Sequence, residues 1–287
     1  MKKAVVILLL ASFIPTQLSA WGPKGHAIIA DLAASRLTPV THANLRLLLG
    51  NDTLASVASW ADQVRRERDE SYGWHFVDIP KDAAGFSGER DCFRPQDKHK
   101  NAATDHHNCV VDRIAIFQKV LHDENASRTD RLEALKWIVH FVGDLHQPLH
   151  AIEEGHGGND IKVTAFGSAK CGDYDCNLHW AWDDVLLQHT GYSEDEYVAQ
   201  LNELIKKDHY QQKAGGTPED WANESHQQAR GLVDPRPSFV DEQYYQAHIH
   251  LVNERLALAG LRLAAVLNAA LGDIPTKKLQ QDLEKHP

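Results

Sequence analysis

Apolar residues recur every three to four positions along most of this chain. That spacing predicts helices over residues 26–37, 54–68, 110–121, 131–145, 178–187, 196–205 and 241–271. Strand-like alternation is short, and residues 161–166, flanked by Gly157, Gly158 and Gly167, show it best. We therefore predict a mainly α, single-domain multi-helix bundle with a small β ribbon and long loops that carry function.

The first 20 residues have the composition of a signal peptide. Lys2 and Lys3 precede an apolar run over 4–14, and the small Ala20 suits a cleavage site. An uncleaved membrane anchor is the alternative, but the run has about half of the roughly 20 residues that a spanning helix needs. We expect an exported protein, secreted or periplasmic, with one domain over 21–287 and a polar, frayed tail over 277–287.

The charge of the chain is strongly acidic. Loss of Lys2 and Lys3, with no acidic residue, would take the formal net charge from −10 to −12. Such a surface argues against binding that tracks nucleic-acid phosphates. The 18 histidines beside abundant aspartate allow a second interpretation, in which carboxylates serve as metal ligands and a bound metal reverses the local charge.

Four cysteines, Cys92, Cys109, Cys171 and Cys176, allow three disulfide pairings in an oxidising compartment. Sequence alone does not choose among them. Pairing each cysteine with its neighbour in the sequence is the most economical arrangement. A zinc–thiolate site is less favoured because no C-x-x-C spacing occurs.

Metal-ligating residues are densest in segment 137–150. His140 and Asp144 are four residues apart, so on one helix they share a face and can hold one metal. Pro148 should end that helix, after which the chain can turn His150 back toward the same site. We assign His146 to a supporting hydrogen bond.

A second pair with the same spacing, His179 and Asp183, begins another apolar-striped helix. Helical bundles build metal sites from such pairs on facing helices. Upstream, Asp62 precedes Arg65 by three residues, a spacing otherwise typical of a surface ion pair. His75 lies among aromatic residues, where a lone histidine is usually a satisfied core residue. The four features together indicate a metal centre.

The start of the predicted mature chain adds two more candidate ligands. Cleavage after Ala20 would leave Trp21 with a free α-amino group five residues before His26. A deprotonated amine and an imidazole can both bind zinc.

Taken in order, these residues resemble the zinc-dependent single-strand nucleases of the nuclease P-one, nuclease S-one and mung bean nuclease type, in the phospholipase C/nuclease P-one superfamily. The resemblance covers residues 21 to about 183, and the last third shows no comparable motif. It implies the fold of that superfamily and three zinc ions. The implied ligands are Asp62, His75, His140 and Asp144 for one zinc, His150, His179 and Asp183 for a second, and Trp21, His26 and the shared Asp144 for a third.

The resemblance also implies the reaction. A metal-activated hydroxide, formed at the zinc pair that Asp62 and Asp144 help to hold, would attack phosphorus while Arg65 stabilises the developing charge. The implied substrates are single-stranded DNA, RNA and 3′-nucleotides, and cleavage would leave 5′-phosphates.

Three further residues match the base pocket of the same nucleases. Phe76 would stack on a base, Asp78 would hydrogen-bond its edge, and Asn159 would add a contact. Core packing is the alternative role for Phe76, and closing a turn is the alternative for Asp78. We expect a monomer without stable membrane association.

Two other functions fit part of this pattern. A zinc-dependent phospholipase C would have a similar trinuclear site, but segments 62–65 and 75–78 match the nuclease pattern better. A non-enzymatic zinc-binding protein would carry His-rich tracts and saturated coordination, whereas these ligands are dispersed along the chain.

Overall fold

The structure, a computed structural model, describes residues 21–286. The predicted signal peptide and its cleavage after Ala20 therefore lie outside the described residues. The α-helices are α1 (Pro23–Ala34), α2 (Pro39–Leu49), α3 (Leu54–Val57), α4 (Trp60–Val64), α5 (Gly88–Asp91), α6 (Val110–His122), α7 (Arg128–His146), α8 (Leu178–Trp180), α9 (Leu186–His189), α10 (Glu194–Lys207), α11 (Pro218–Val233), α12 (Glu242–Leu271) and α13 (Thr276–Lys285). Tight 3-10 turns cover Asp69–His75, Ala102–Thr104, Pro148–Ala151 and Tyr210–Lys213.

Two pairs of two-residue strands complete the secondary structure of the described residues. Strands β1 (Thr164–Ala165) and β4 (Phe239–Val240) pair in parallel, while β2 (Lys170–Cys171) and β3 (Tyr174–Asp175) form an antiparallel hairpin. The prediction of a mainly α single domain with little β structure is confirmed. Within the ribbon predicted over 161–166, β1 is the one strand, and it pairs with β4, more than 70 residues further along the chain. Lys162 adds an isolated antiparallel bridge to Asn177.

Helix α7 runs through the core of the molecule. It packs against α6, α12 and α1, and every residue from Trp137 to His146 is buried. Helix α12 can approach α1 closely because residue 260 is glycine, and a Cβ there would lie 2.6 Å from Leu32 Cδ2. A helix that is buried on all sides cannot show a simple amphipathic stripe.

Two of the predicted helices, 54–68 and 178–187, differ from the helices in the structure. The predicted helix 54–68 is two short helices, α3 and α4, separated at Ala58 and Ser59. The predicted helix 178–187 extends to His189 and contains a π-helical turn over Ala181–Val185. Such π turns occur often at functional sites.

Helices α2, α5, α11 and α13 are not among the predicted helices. Thr38 and Thr217 cap α2 and α11, because the side chain of each accepts a hydrogen bond from a backbone N–H of the first turn. Residues 277–287 are predicted to be a frayed tail, yet α13 covers most of this segment and buries Leu279 and Leu283. Two leucines one turn apart give this otherwise polar helix an apolar face that packs on the core.

Both disulfides join neighbouring cysteines in the sequence. Cys92 is bonded to Cys109, and Cys171 is bonded to Cys176. The most economical of the three possible pairings is therefore the one that the structure contains.

Among the described helices, none has by itself the length and apolar composition to cross a bilayer. Helices α12 and α13 reach that composition only when taken together, across a 72° bend.

Candidate metal centre and adjoining cavity

Six elements bring histidine and aspartate side chains to one buried region. The contributing residues are His26 from α1, Asp62 from α4, His75 from the end of the Asp69–His75 turn, His140 and Asp144 from α7, His150 from the Pro148–Ala151 turn, and His179 and Asp183 from the continuous helical segment 178–189. They form three groups, each with potential ligand atoms within 4.8 Å of one another. Two groups share His140, namely His26, Asp62 and His140, and His75, His140 and Asp144; the third is His150, His179 and Asp183.

Asp144 occupies the middle of this region. Its Oδ1 lies 3.3 Å from Nε2 of His26 and 3.3 Å from Nε2 of His140, while its Oδ2 lies 3.0 Å from Nδ1 of His75. Asp62 is further out, with its Oδ1 3.7 Å from Nε2 of His140. The two oxygens of Asp144 therefore face different imidazoles, an arrangement suited to a carboxylate that bridges two cations.

His150, His179 and Asp183 form a second group beside the first. The Nε2 atoms of His150 and His179 are 3.1 Å apart, and Nε2 of His179 lies 3.4 Å from Oδ2 of Asp183. Gln147 donates from its Nε2 to the other oxygen of Asp183 over 2.6 Å. This glutamine fixes the carboxylate from the side that faces away from the histidines.

Backbone carbonyls orient the imidazole rings. Nδ1 of His140 donates to the carbonyl of Ala58 at 2.8 Å, and Nδ1 of His150 donates to the carbonyl of His75 at 2.8 Å. A ring nitrogen that donates to a carbonyl leaves Nε2 as the lone-pair nitrogen, which is the form that binds a metal.

His179 is oriented in the same way by a glycine turn. Its Nδ1 donates to the carbonyl of Gly157 at 2.6 Å. Gly157 has φ +62°, and a Cβ there would lie 2.5 Å from the carbonyl oxygen of Leu149. Only glycine fits this turn without strain.

The titration behaviour of the cluster follows from burial and from the shared carboxylate. Burial lowers the pKa of His26 to about 4, and burial with the nearby His150 lowers that of His179 to about 3. Burial also acts to lower the pKa of His140, but the carboxylates of Asp144 and Asp62 outweigh it and raise that pKa to about 9. The carboxylates of Asp144 and Asp62 thus favour the charged form of His140, because a cation there balances buried negative charge.

Several buried polar atoms of the cluster lack a hydrogen bond within the described part of the chain. They are both ring nitrogens of His26, Nε2 of His75 and Oδ1 of Asp144. Buried polar groups are normally satisfied, so the unbonded Nε2 of His26 and Oδ1 of Asp144, which lie 3.3 Å apart, indicate a missing partner beside them. Imidazole and carboxylate donors are the ligands that zinc accepts, and the residues present therefore fit that metal.

The chain around Trp21 is held beside the same region. The Trp21 side chain is fully buried, and the Gly22 N–H donates to the carbonyl oxygen of Asp183 at 2.7 Å. A Cβ at Gly25 would lie 2.7 Å from Trp21 Cβ, so glycine is required for this close approach.

A cavity of about 280 Å³ opens against the predicted metal ligands. His75, His150 and His179 form one part of its wall, and the predicted residues Arg65, Phe76, Asp78 and Asn159 form much of the rest. A larger cleft of about 720 Å³ lies beside α11, and none of the predicted metal ligands lines it.

Several residues of the site were not anticipated from the sequence. Tyr72 and Arg94 line the cavity, and Gln147 bonds Asp183. Gln147 could have been found from its place between His146 and Pro148 in the dense histidine segment. Arg94 carries no such signal, because only the folded loop after Cys92 brings it to Phe76 and Asp78.

Comparison with known proteins gives a consistent result. The model of the S1/P1 nuclease family matches residues 21–272. Nuclease PA3 from Penicillium sp is 28% identical over 283 residues, covering 88% of this chain and 98% of the relative. Nuclease S1 from Aspergillus oryzae is 29% identical over 279 residues, covering 86% and 91%. Endonuclease 4 from Arabidopsis thaliana is 30% identical over 288 residues, covering 89% and 90%.

The role of Asp144 as a metal ligand can be tested by measuring how zinc changes the melting temperature. Zinc that binds only the native state should raise the melting temperature, by an amount equivalent to about 4 kcal/mol at 1,000 times its dissociation constant. Asp144→Asn should bind fewer zinc ions and lose most of this stabilisation, because one amide oxygen cannot replace two carboxylate oxygens. Thermal unfolding with chelator and with graded zinc, together with zinc content by mass spectrometry, measures both effects.

The matched control is Asp173→Asn, which removes the same charge from an exposed position. It should retain the zinc response of the unmodified protein. An Asp144→Asn variant with unchanged zinc content and stabilisation would remove Asp144 from the metal centre.

Proposed function

The chain belongs to the S1/P1 nuclease family and is an endonuclease, and on that premise we propose that it is an exported, zinc-dependent enzyme that cleaves single-stranded DNA and RNA and removes the phosphate of 3′-nucleotides. One observation carries the proposal: the imidazoles of His75, His150 and His179 form the wall of the same cavity that Phe76 and Asp78 line. Metal ligands and a surface for a base thus share one cavity of about 280 Å³.

Three zinc ions are proposed for the metal centre. The proposed ligands are Asp62, His75, His140 and Asp144; His150, His179 and Asp183; and Trp21, His26 and Asp144. The three ligand groups of the cluster support this number, as does the backbone of residues 21–22 held against Asp183. Bound zinc would polarise phosphoryl oxygens and lower the pKa of water from 15.7 to about 7.

Arg65 is proposed to neutralise charge on the phosphate during cleavage. It lines the cavity and lies near enough to His179 to contribute to the lowered pKa of that histidine, after the larger effects of burial and His150. A fixed guanidinium beside the reacting phosphate stabilises the charge that develops in the transition state. The buried carbonyl bonds to His140, His150 and His179 keep the ligand set rigid while this happens.

The preference for single strands follows from the size of the cavity. A base must leave its stack to enter the space between Phe76 and Asn159, and base pairing makes that costly. Phe76 is proposed to stack on the base and Asp78 to accept hydrogen bonds from its edge. Oδ1 of Asn159 is buried without a hydrogen-bond partner among the described residues, so it is available to a ligand.

Export is proposed from the composition of residues 1–20 and from the two disulfides. Disulfides persist in oxidising compartments and are rare in the cytosol.

The central test compares substrates under controlled metal supply. The protein that begins at Trp21 is incubated with a single-stranded oligonucleotide, its duplex, a 3′-nucleotide and phosphatidylcholine, with chelator and then zinc added back. We expect cleavage of the single strand and the 3′-nucleotide, slower cleavage of the duplex, and 5′-phosphate ends on the oligonucleotide products. Chelator should abolish these reactions and zinc should restore them.

Three other outcomes would contradict the proposal in different ways. Hydrolysis of phosphatidylcholine alone would assign the site to a phospholipase C. Zinc binding without turnover of any substrate would favour a metal-binding protein. Equal cleavage of duplex and single strand would contradict the proposed role of the cavity.

Arg65 and its neighbour Arg66 form a matched pair for testing phosphate stabilisation. Arg65→Met should lower kcat by about 100- to 1,000-fold with a smaller change in KM, because the contact strengthens in the transition state. Arg66→Met removes the same charge from an exposed residue that does not line the cavity and should have little effect. Equal kinetics for the two variants would dismiss the special role of Arg65.

The proposed ligand at Trp21 requires a free amine. Two extra residues ahead of Trp21 would convert that amine to an amide, which is a poor zinc ligand, so the extended protein should bind fewer zinc ions and turn over more slowly. Zinc content and activity are measured on both proteins after mass spectrometry has verified each N-terminus. Full zinc content and activity in the extended protein would refute the terminal ligand.

A further inference from the structure

Arg94 contacts both residues that are proposed to bind the base. Its Nη1 lies 2.7 Å from Oδ2 of Asp78, and its guanidinium carbon lies over the Phe76 ring, 4.7 Å from the ring centroid. Arg94 also lines the cavity, although no sequence motif singled it out. The carboxylate that would read a base therefore already carries a cationic partner.

The cavity remains open while Arg94 is in this position. Its volume of about 280 Å³ is measured with the arginine forming part of the wall, just below the roughly 300–1,000 Å³ typical of sites for drug-sized ligands. Open space thus remains in the cavity beside Arg94. This favours a role for Arg94 in contacting the ligand over a role in blocking the cavity.

A second carboxylate, that of Asp97, also contacts Arg94. Its Nε lies 3.5 Å from Oδ2 of Asp97, whose side chain is only 3% exposed. Asp97 is itself fixed, because His99 contacts its Oδ1 at 2.6 Å and Asn108 donates to its Oδ2 at 3.4 Å. The loop that carries these residues is closed by the disulfide between Cys92 and Cys109.

Both members of the ion pair keep hydrogen-bonding capacity. A guanidinium has five N–H donors, and the contacts of Arg94 with Asp78 and Asp97 use two of its nitrogens. A carboxylate has about four acceptor positions, and Arg94 uses one oxygen of Asp78. The pair can therefore offer a donor and an acceptor side by side.

Every nucleobase presents a donor beside an acceptor on its Watson–Crick edge. In adenine and cytosine the amino group adjoins a ring nitrogen, and in guanine, thymine and uracil a ring N–H adjoins a carbonyl oxygen. A carboxylate alone instead matches two adjacent donors, which only guanine has. Resting on the proposed function, we propose that Arg94 and Asp78 read the base edge together and that Arg94 makes the cavity tolerant of all bases.

The test uses substrates that differ only in the base. Cleavage of four 3′-nucleotides is measured for the unmodified protein, Arg94→Met and Arg94→Lys, and binding of the four 5′-mononucleotides is measured by calorimetry. In Arg94→Met the preference for guanine over uracil should rise by about tenfold, the discrimination typical of one bidentate contact with a base. Arg94→Lys should give an intermediate ratio, because lysine keeps the charge and loses the planar fork.

Lys98→Met is the matched control, since Lys98 is an exposed cation of the same disulfide-closed loop and does not line the cavity. It should leave the ranking of bases unchanged. An equal loss for all four bases in Arg94→Met would overturn the inference while leaving the nuclease proposal intact.

Calorimetry separates the two proposals from each other. If the unmodified protein turns over no nucleotide but Arg94→Met shifts mononucleotide binding toward guanine, the role of Arg94 stands and the proposed function falls. If the unmodified protein neither cleaves nor binds any nucleotide, both are overturned.

Discussion

The carboxylate of Asp144, fully buried in the last turn of α7, is the group on which the rest of the structure depends. A buried charge is costly unless it is paired, and here three imidazoles approach it from three elements of the fold. Helix α7 must therefore lie in the core, and α1 must lie close enough to bring in His26. Gly143 allows that approach, because a Cβ there would lie 2.8 Å from Nδ1 of His26.

Rigidity of the ligand set comes from the backbone around it. Carbonyl oxygens from α3–α4, from the His75 segment and from the Gly157 turn each accept a hydrogen bond from an imidazole. These carbonyls are free to accept a hydrogen bond from an imidazole because the chain beside the cluster consists of helix ends and turns. Broken secondary structure around the metal centre is thus a requirement of the site, since carbonyls inside a regular helix are already bonded.

The distribution of charge fits an enzyme that acts on an anionic polymer from an acidic surface. With a formal net charge of −10, the protein repels phosphates at long range, so attraction must be local. Arg65 and Arg94 both line the cavity, and Arg94 is paired with Asp78, which limits its pull on phosphate. Binding would then rest on the metal centre and on one accommodated base more than on a track of phosphate contacts.

The sequence by itself determined the helical class, the two H-x-x-x-D pairs on separate helices, and the limit that four cysteines can pair in three ways. Periodicity and fixed spacing are local properties, so residues such as His140 and Asp144 can be grouped from their separation along the chain alone. Tertiary structure alone decided that Asp144 lies between three imidazoles, that Gln147 bonds Asp183, and that Arg94 reaches Asp78 from a loop sixteen residues further along the chain. These contacts depend on how helices pack and loops close, and no spacing along the chain encodes them.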